Sequence, residues 1–142
     1  MKRLDRPAVA FAALTLVGCL LYAGALDNPM HYDDHHSIGQ NPHLRSLSRI
    51  PDFFMAPATF SAESRGLMFR PLLLVSYAGN IAFGGDGPAS FRWVNLGLHI
   101  LCSYAVYRLA LALGLAGGAW VAAFFFLLHP THAEPVNYLS SR

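Results

Sequence analysis

Charged side chains are scarce in this chain, and lysine is nearly missing. Of 142 residues only 13% are charged and 54% are hydrophobic, against roughly 25% charged in soluble domains, which excludes an ordinary soluble protein. Nine of the ten basic residues are Arg, scattered along the chain, and the formal net charge is only +2. Without a basic cluster, a nucleic-acid surface is excluded too. Cysteine is limited to Cys19 and Cys102, each inside an apolar stretch, so two free buried thiols are expected rather than a disulfide or a thiolate metal centre. There is no internal repeat, heptad or low-complexity tail.

What the chain has is apolar length. Residues 7–26 form one largely apolar run, enough to cross a bilayer as a helix. A second apolar region, Phe91 to Leu128, is too long for one crossing and long enough for two. Gly114, Gly117 and Gly118 interrupt it, predicting a helical hairpin with arms at 91–113 and 116–130. The expected fold is all-α and integral to the membrane, with about three transmembrane helices and a long outer loop, residues 27–90, carrying amphipathic helices.

Lys2, Arg3 and Arg6 precede the first span and no basic residue follows it until Arg45, so the positive-inside rule sets the N-terminus in the cytoplasm and the loop outside. Arg108, near the glycine turn, fits the inner side. A cleaved signal peptide competes with this reading, and Leu16-Val17-Gly18-Cys19 resembles a lipoprotein processing box. The apolar run continues past Cys19 through Leu20, Leu21, Tyr22, Ala23 and Ala25, which favours an uncleaved span.

Within the loop, Asn41-Pro42 reads as a helix start, with Leu44, Leu47 and Ile50 at helical spacing before Pro51 ends the run. Pro71 to Phe83 is apolar and helical in pattern but rises only about 20 Å, short of a bilayer core of about 30 Å, so it is expected at the interface or against the spans. Near the C-terminus Thr131-His132-Ala133-Glu134 fits a capping box opening an outer helix over 131–142. Glu134 then reads either as that cap or as a site residue facing an acidic pair. Asn95 and His99, four apart on one apolar helix, are expected to bond between helices.

The acidic pair is Tyr32-Asp33-Asp34, a few residues past the first span. Carboxylates there lie where a lipid headgroup meets water, which suggests chemistry on a lipid-linked substrate at the membrane boundary.

Taken with His35-His36-Ser37-Ile38, Asn41-Pro42, Phe69-Arg70-Pro71-Leu72, Val94-Asn95-Leu96, His99, His129-Pro130-Thr131-His132-Ala133-Glu134-Pro135-Val136-Asn137 and Ser141-Arg142, this motif resembles the N-terminal part of the tetratricopeptide-bearing transmembrane O-mannosyltransferases and their bacterial relatives. These are GT-C class membrane glycosyltransferases, so the resemblance implies a partial GT-C fold. The match departs at Arg92, where many relatives carry His, and at Pro135, where Ala is usual. The resemblance implies transfer of mannose or another hexose from a polyprenyl-phosphate carrier to a protein or glycan hydroxyl, at the outer face of a bacterial inner membrane. It implies Asp33 as general base and Asp34 as its orienting partner or a metal ligand, because a hydroxyl nucleophile needs a base. Arg70 and Arg142 are the candidates for the leaving phosphate, which a guanidinium matches in bidentate fashion. Arg70 also reads as a side chain snorkelling to headgroups. His129, His132 and Glu134 are candidate site-lining residues.

Two other classes compete. His31, Asp33, Asp34, His35 and His36, with His129, His132 and Glu134, suggest a divalent metal, His35 and His36 foremost, in a metal-binding protein or metalloenzyme. A small non-catalytic membrane subunit is the other. Because GT-C enzymes have many more spans, the 142 residues read as a fragment, inactive alone.

Overall fold

The computed structural model describes residues 6–63 and 68–142, apart from the Ser141 side chain, and contains helices and turns but no strand among the described residues. Helix α1 spans Pro7–Tyr22 and runs on into a 3-10 turn at Ala23–Ala25. Three short elements follow in the loop: a π-turn at His35–Gly39 and 3-10 turns at Pro42–Arg45 and Leu47–Arg49. Helix α2 is Ile50–Met55, with a 3-10 turn at Pro57–Phe60 behind it. Helices α3 (Pro71–Gly84), α4 (Pro88–Ala112), α5 (Ala119–Leu128) and α6 (Glu134–Asn137) complete the order.

Helices α1, α4 and α5 pack into one bundle. On α1 the buried positions Ala10, Leu14, Gly18 and Tyr22 recur every fourth residue, a single stripe laid against α4 and α5. Gly18 permits the approach: a Cβ there would lie 3.1 Å from Ile100 Cγ1. Ring pairs set the directions. Phe11 meets Tyr104 and Tyr22 meets His99, so α1 runs antiparallel to α4, and Tyr107 against Trp120 with His99 against Phe126 does the same for α4 and α5.

The hairpin turn is built on Gly114, at φ 78°. Its N–H bonds the Leu111 carbonyl at 3.0 Å, and the Leu115 N–H bonds that of Ala110 at 2.9 Å, the Schellman ending that favours glycine. The α4–α5 hairpin expected from the three glycines is thus present, with α5 starting at Ala119 rather than Ala116.

Two helices, Pro7–Ala25 and Pro88–Ala112, are long and apolar enough to cross a membrane. The third expected span is shorter than the sequence pattern suggests: the 10 residues of α5 rise only about 15 Å. Helix α3 has 14 residues, about 21 Å. Large apolar side chains point outward from the bundle, among them Leu16, Leu20, Leu101, Leu109 and Val121. Such a surface is stable against lipid rather than water. Cys19 is half-buried and Cys102 exposed, both free thiols, so burial was right only in part for the first.

A second core lies under the loop. Ile38, Leu44, Phe53 and Phe60 close over Leu74, Tyr77 and Ala78 of α3, with Phe91 and Leu139 completing it. Asn41 does start a turn, as its spacing implied, its Oδ1 accepting the His43 N–H at 3.0 Å. Pro51, however, does not end a helix. It occupies the first turn of α2, where a residue without an N–H costs nothing. The run from Leu44 to Ile50 is accordingly two 3-10 turns rather than one amphipathic helix. The capping box also fails to form. His129 is the cap, its Nδ1 accepting the Thr131 N–H at 3.3 Å, and Glu134 opens α6 with an exposed side chain. Pro130 makes a 3-10 turn of the segment that a capped helix would need.

Candidate active site

Asp33 and Asp34 are adjacent in sequence and opposite in circumstance. Tyr32, just before them, takes φ 40°, the only positive φ outside glycine among the described residues. Asp34 is fully buried. Its Oδ1 accepts the Ser140 N–H at 2.8 Å, and its Oδ2 accepts the N–H groups of Leu139 at 3.4 Å and His31 at 3.1 Å. It therefore ties the acidic loop to the C-terminal segment. Asp33 keeps 64% of its side chain exposed, with Oδ1 3.2 Å from His36 Nε2. Its N–H donates to Tyr138 Oη at 3.4 Å.

A cavity of about 420 Å³ is lined by Asp33, His36, Ser37, Phe60, Met68, Arg70, Tyr138 and Ser140. It brings together Asp33 and Arg70, a candidate base and a candidate phosphate partner, beside the apolar start of α3. Arg142 is elsewhere. Its guanidinium donates to Asn95 Oδ1 at 2.6 Å, Ser76 Oγ at 3.2 Å, Asn80 Oδ1 at 3.2 Å and the Phe91 carbonyl at 3.1 Å, and lies over the Tyr77 and Phe91 rings. Burial pulls this guanidinium below its ordinary pKa, which Tyr77 opposes. Burial likewise raises the Tyr77 phenol, which donates to the Leu139 carbonyl at 2.9 Å.

The remaining candidates fall outside that cavity. His132 bonds the Phe126 carbonyl at 2.8 Å and packs on the Phe126 ring, while His129 caps its turn beside the end of α1. Glu134 and His35 are exposed. The dense His/Asp run is dispersed by the fold: among the described residues no three His, Cys, Asp or Glu side chains converge as metal ligands would. Asn95 and His99 bond between elements as expected, His99 Nε2 to the Leu127 carbonyl at 3.1 Å.

One residue that holds the acidic loop in place was not among the candidates. Arg92, fully buried in the second turn of α4, binds the carbonyls of Leu26 at 3.1 Å, Pro29 at 2.8 Å and Asn137 at 3.3 Å, and that of Asn28 as well. It clamps the end of α1 and the entry to the acidic loop onto α6. The available signal was a cation on a strongly apolar helix, which must find internal partners.

Comparison with known proteins places these features in context. The chain is 32% identical over 89% of its length to Protein O-mannosyl-transferase tmtc2 of Xenopus laevis. It is 31% identical over 96% to Protein O-mannosyl-transferase TMTC1 of Mus musculus, and 36% identical over 82% to Protein O-mannosyl-transferase Tmtc2 of Drosophila melanogaster. It spans only 16%, 15% and 13% of these relatives' lengths. No family model and no solved structure matches it.

Proposed function

We propose, from its standing as an O-mannosyltransferase-like membrane protein, that this chain carries the acidic loop of a glycosyltransferase acting at the membrane edge. The enzyme moves mannose or another hexose from a polyprenyl phosphate to a hydroxyl of a protein or glycan. Asp33 takes the hydroxyl proton as the acceptor oxygen bonds the anomeric carbon. The bond from that carbon to the phosphate oxygen breaks, and the electron pair leaves with the lipid phosphate, whose charge Arg70 meets.

The observation that carries this reading is that Asp33 and Arg70 line one cavity while the neighbouring Asp34 is consumed in backbone bonds. Asp34 is then a frame residue that orients the loop, and Arg142, held by four neutral acceptors, frames α3 and α4. Neither the His35 side chain nor the Glu134 side chain enters the chemistry.

The test uses the complete protein in membranes, supplied with a hydroxyl-bearing acceptor peptide and either a polyprenyl-phosphate hexose or the matching nucleotide sugar. Transfer from the lipid-linked sugar alone is expected. Transfer from the nucleotide sugar in the absence of lipid carrier would overturn the donor assignment.

A further inference from the structure

We infer that His36 is a positioning residue for Asp33, holding one carboxylate oxygen so that the other meets the acceptor hydroxyl; this rests on the assignment of Asp33 as base. Asp33 sits on an exposed loop with 64% of its side chain in solvent, where a carboxylate with no partner samples several rotamers. The ring of His36, 27% exposed, is the side chain that engages it, through Nε2 at 3.2 Å from Oδ1.

The other ring nitrogen faces two hydroxyls. Nδ1 lies 2.9 Å from Ser61 Oγ and 3.2 Å from Ser37 Oγ. Ser61 Oγ already accepts the Glu63 N–H at 2.9 Å, so its own proton is free to donate. The Asp33 carboxylate only accepts, so the ring proton belongs on Nε2, aimed at Oδ1, and Nδ1 is left to accept from a serine hydroxyl. Ser61 and Ser37 are both buried, and the Ala62 N–H donates to the His36 carbonyl at 3.0 Å, so Ser61 is fixed against the residue it orients. The chain Ser61, His36, Asp33 thus runs from the loop core to the cavity wall, and all the cavity asks of His36 is one directed N–H. Outer-shell partners that orient metal ligands typically contribute about 10- to 100-fold, and a contribution of the same order is expected of a partner that orients a carboxylate base.

Glutamine carries an amide N–H at nearly the reach of Nε2, whereas alanine has none. In the complete protein His36→Ala is expected to lower kcat by about 10- to 100-fold with the KM of both donor and acceptor unchanged, and His36→Gln to return most of the loss. Thermal midpoints of both variants are measured alongside, because alanine removes more side-chain volume from the loop than glutamine does. An alanine variant with wild-type kcat, a loss confined to KM, or a glutamine variant as impaired as alanine at equal stability would each overturn the inference. Asp33→Asn serves as the reference: if it retains transfer, the assignment of the base fails independently of His36.

Discussion

Asp34 and Arg92 show how a polar group inside an apolar chain becomes structural when its surroundings offer only backbone. Each N–H bound to Asp34 would be left unsatisfied in an Asp34→Ala variant, at about 1–3 kcal/mol apiece for a buried group. We expect that variant to lose on the order of 3 kcal/mol, read as a lower thermal midpoint in detergent. Arg92→Met strands the carbonyls of Leu26, Asn28, Pro29 and Asn137. It should be comparably destabilised, and Arg92→Lys should recover little, because an ammonium cannot span that fan of acceptors. The pair Asp33-Asp34 was legible in the sequence as a motif, but the division of labour within it was not. That division follows from the amides at residues 139 and 140, more than a hundred positions away, which engage Asp34 and not Asp33. Arg92 was visible as a departure from the family pattern and as a cation on an apolar helix, but sequence spacing says nothing of which carbonyls a guanidinium will find.

At the scale of elements, hydrophobic runs located the long helices well and the short ones poorly. Runs such as 7–26 announce themselves because a bilayer demands continuous apolar length. Turns such as Leu47–Arg49 form under tertiary packing, and local spacing imitates a helix there without deciding its kind. Proline was the source of error at one place: Pro51 opens a helical turn, and the same residue would end one from a different register. The contact of α1 with α4 is the element-level claim most open to test. Gly18→Leu drives a side chain into Ile100 and should cost about 1–3 kcal/mol, whereas Gly24→Ala, with nothing within 4 Å of its Cβ, should leave the thermal midpoint unchanged. Gly114→Val should destabilise the hairpin, since its φ of 78° is one a β-branched residue rarely adopts.

Across the whole molecule, the end of α1, the start of α4 and the end of α5 meet at one pole, and the Gly114–Gly118 turn lies at the other. The acidic loop sits over the first pole, held by Arg92 and Asp34. If the basic N-terminus is cytoplasmic, as the positive-inside rule expects, this arrangement would set the glycine turn on the same side and the acidic loop outside. In a variant lacking Cys19 and Cys102, a membrane-impermeant maleimide should label Gly87→Cys in intact cells and Gly117→Cys only after permeabilisation; labelling of both from one side would refute that topology. With Asp33 mostly exposed, the described residues do not seal the cavity from water, so the 142 residues alone should show no transfer. The central claim is that two neighbouring aspartates do different work, and one comparison tests it most directly: transfer and thermal midpoint for Asp33→Asn and Asp34→Asn in the complete protein. The account predicts that Asp33→Asn abolishes transfer at an unchanged midpoint, while Asp34→Asn lowers the midpoint and retains transfer in the fraction that stays folded. Full activity in Asp33→Asn, or abolished transfer in a fully stable Asp34→Asn, would contradict it.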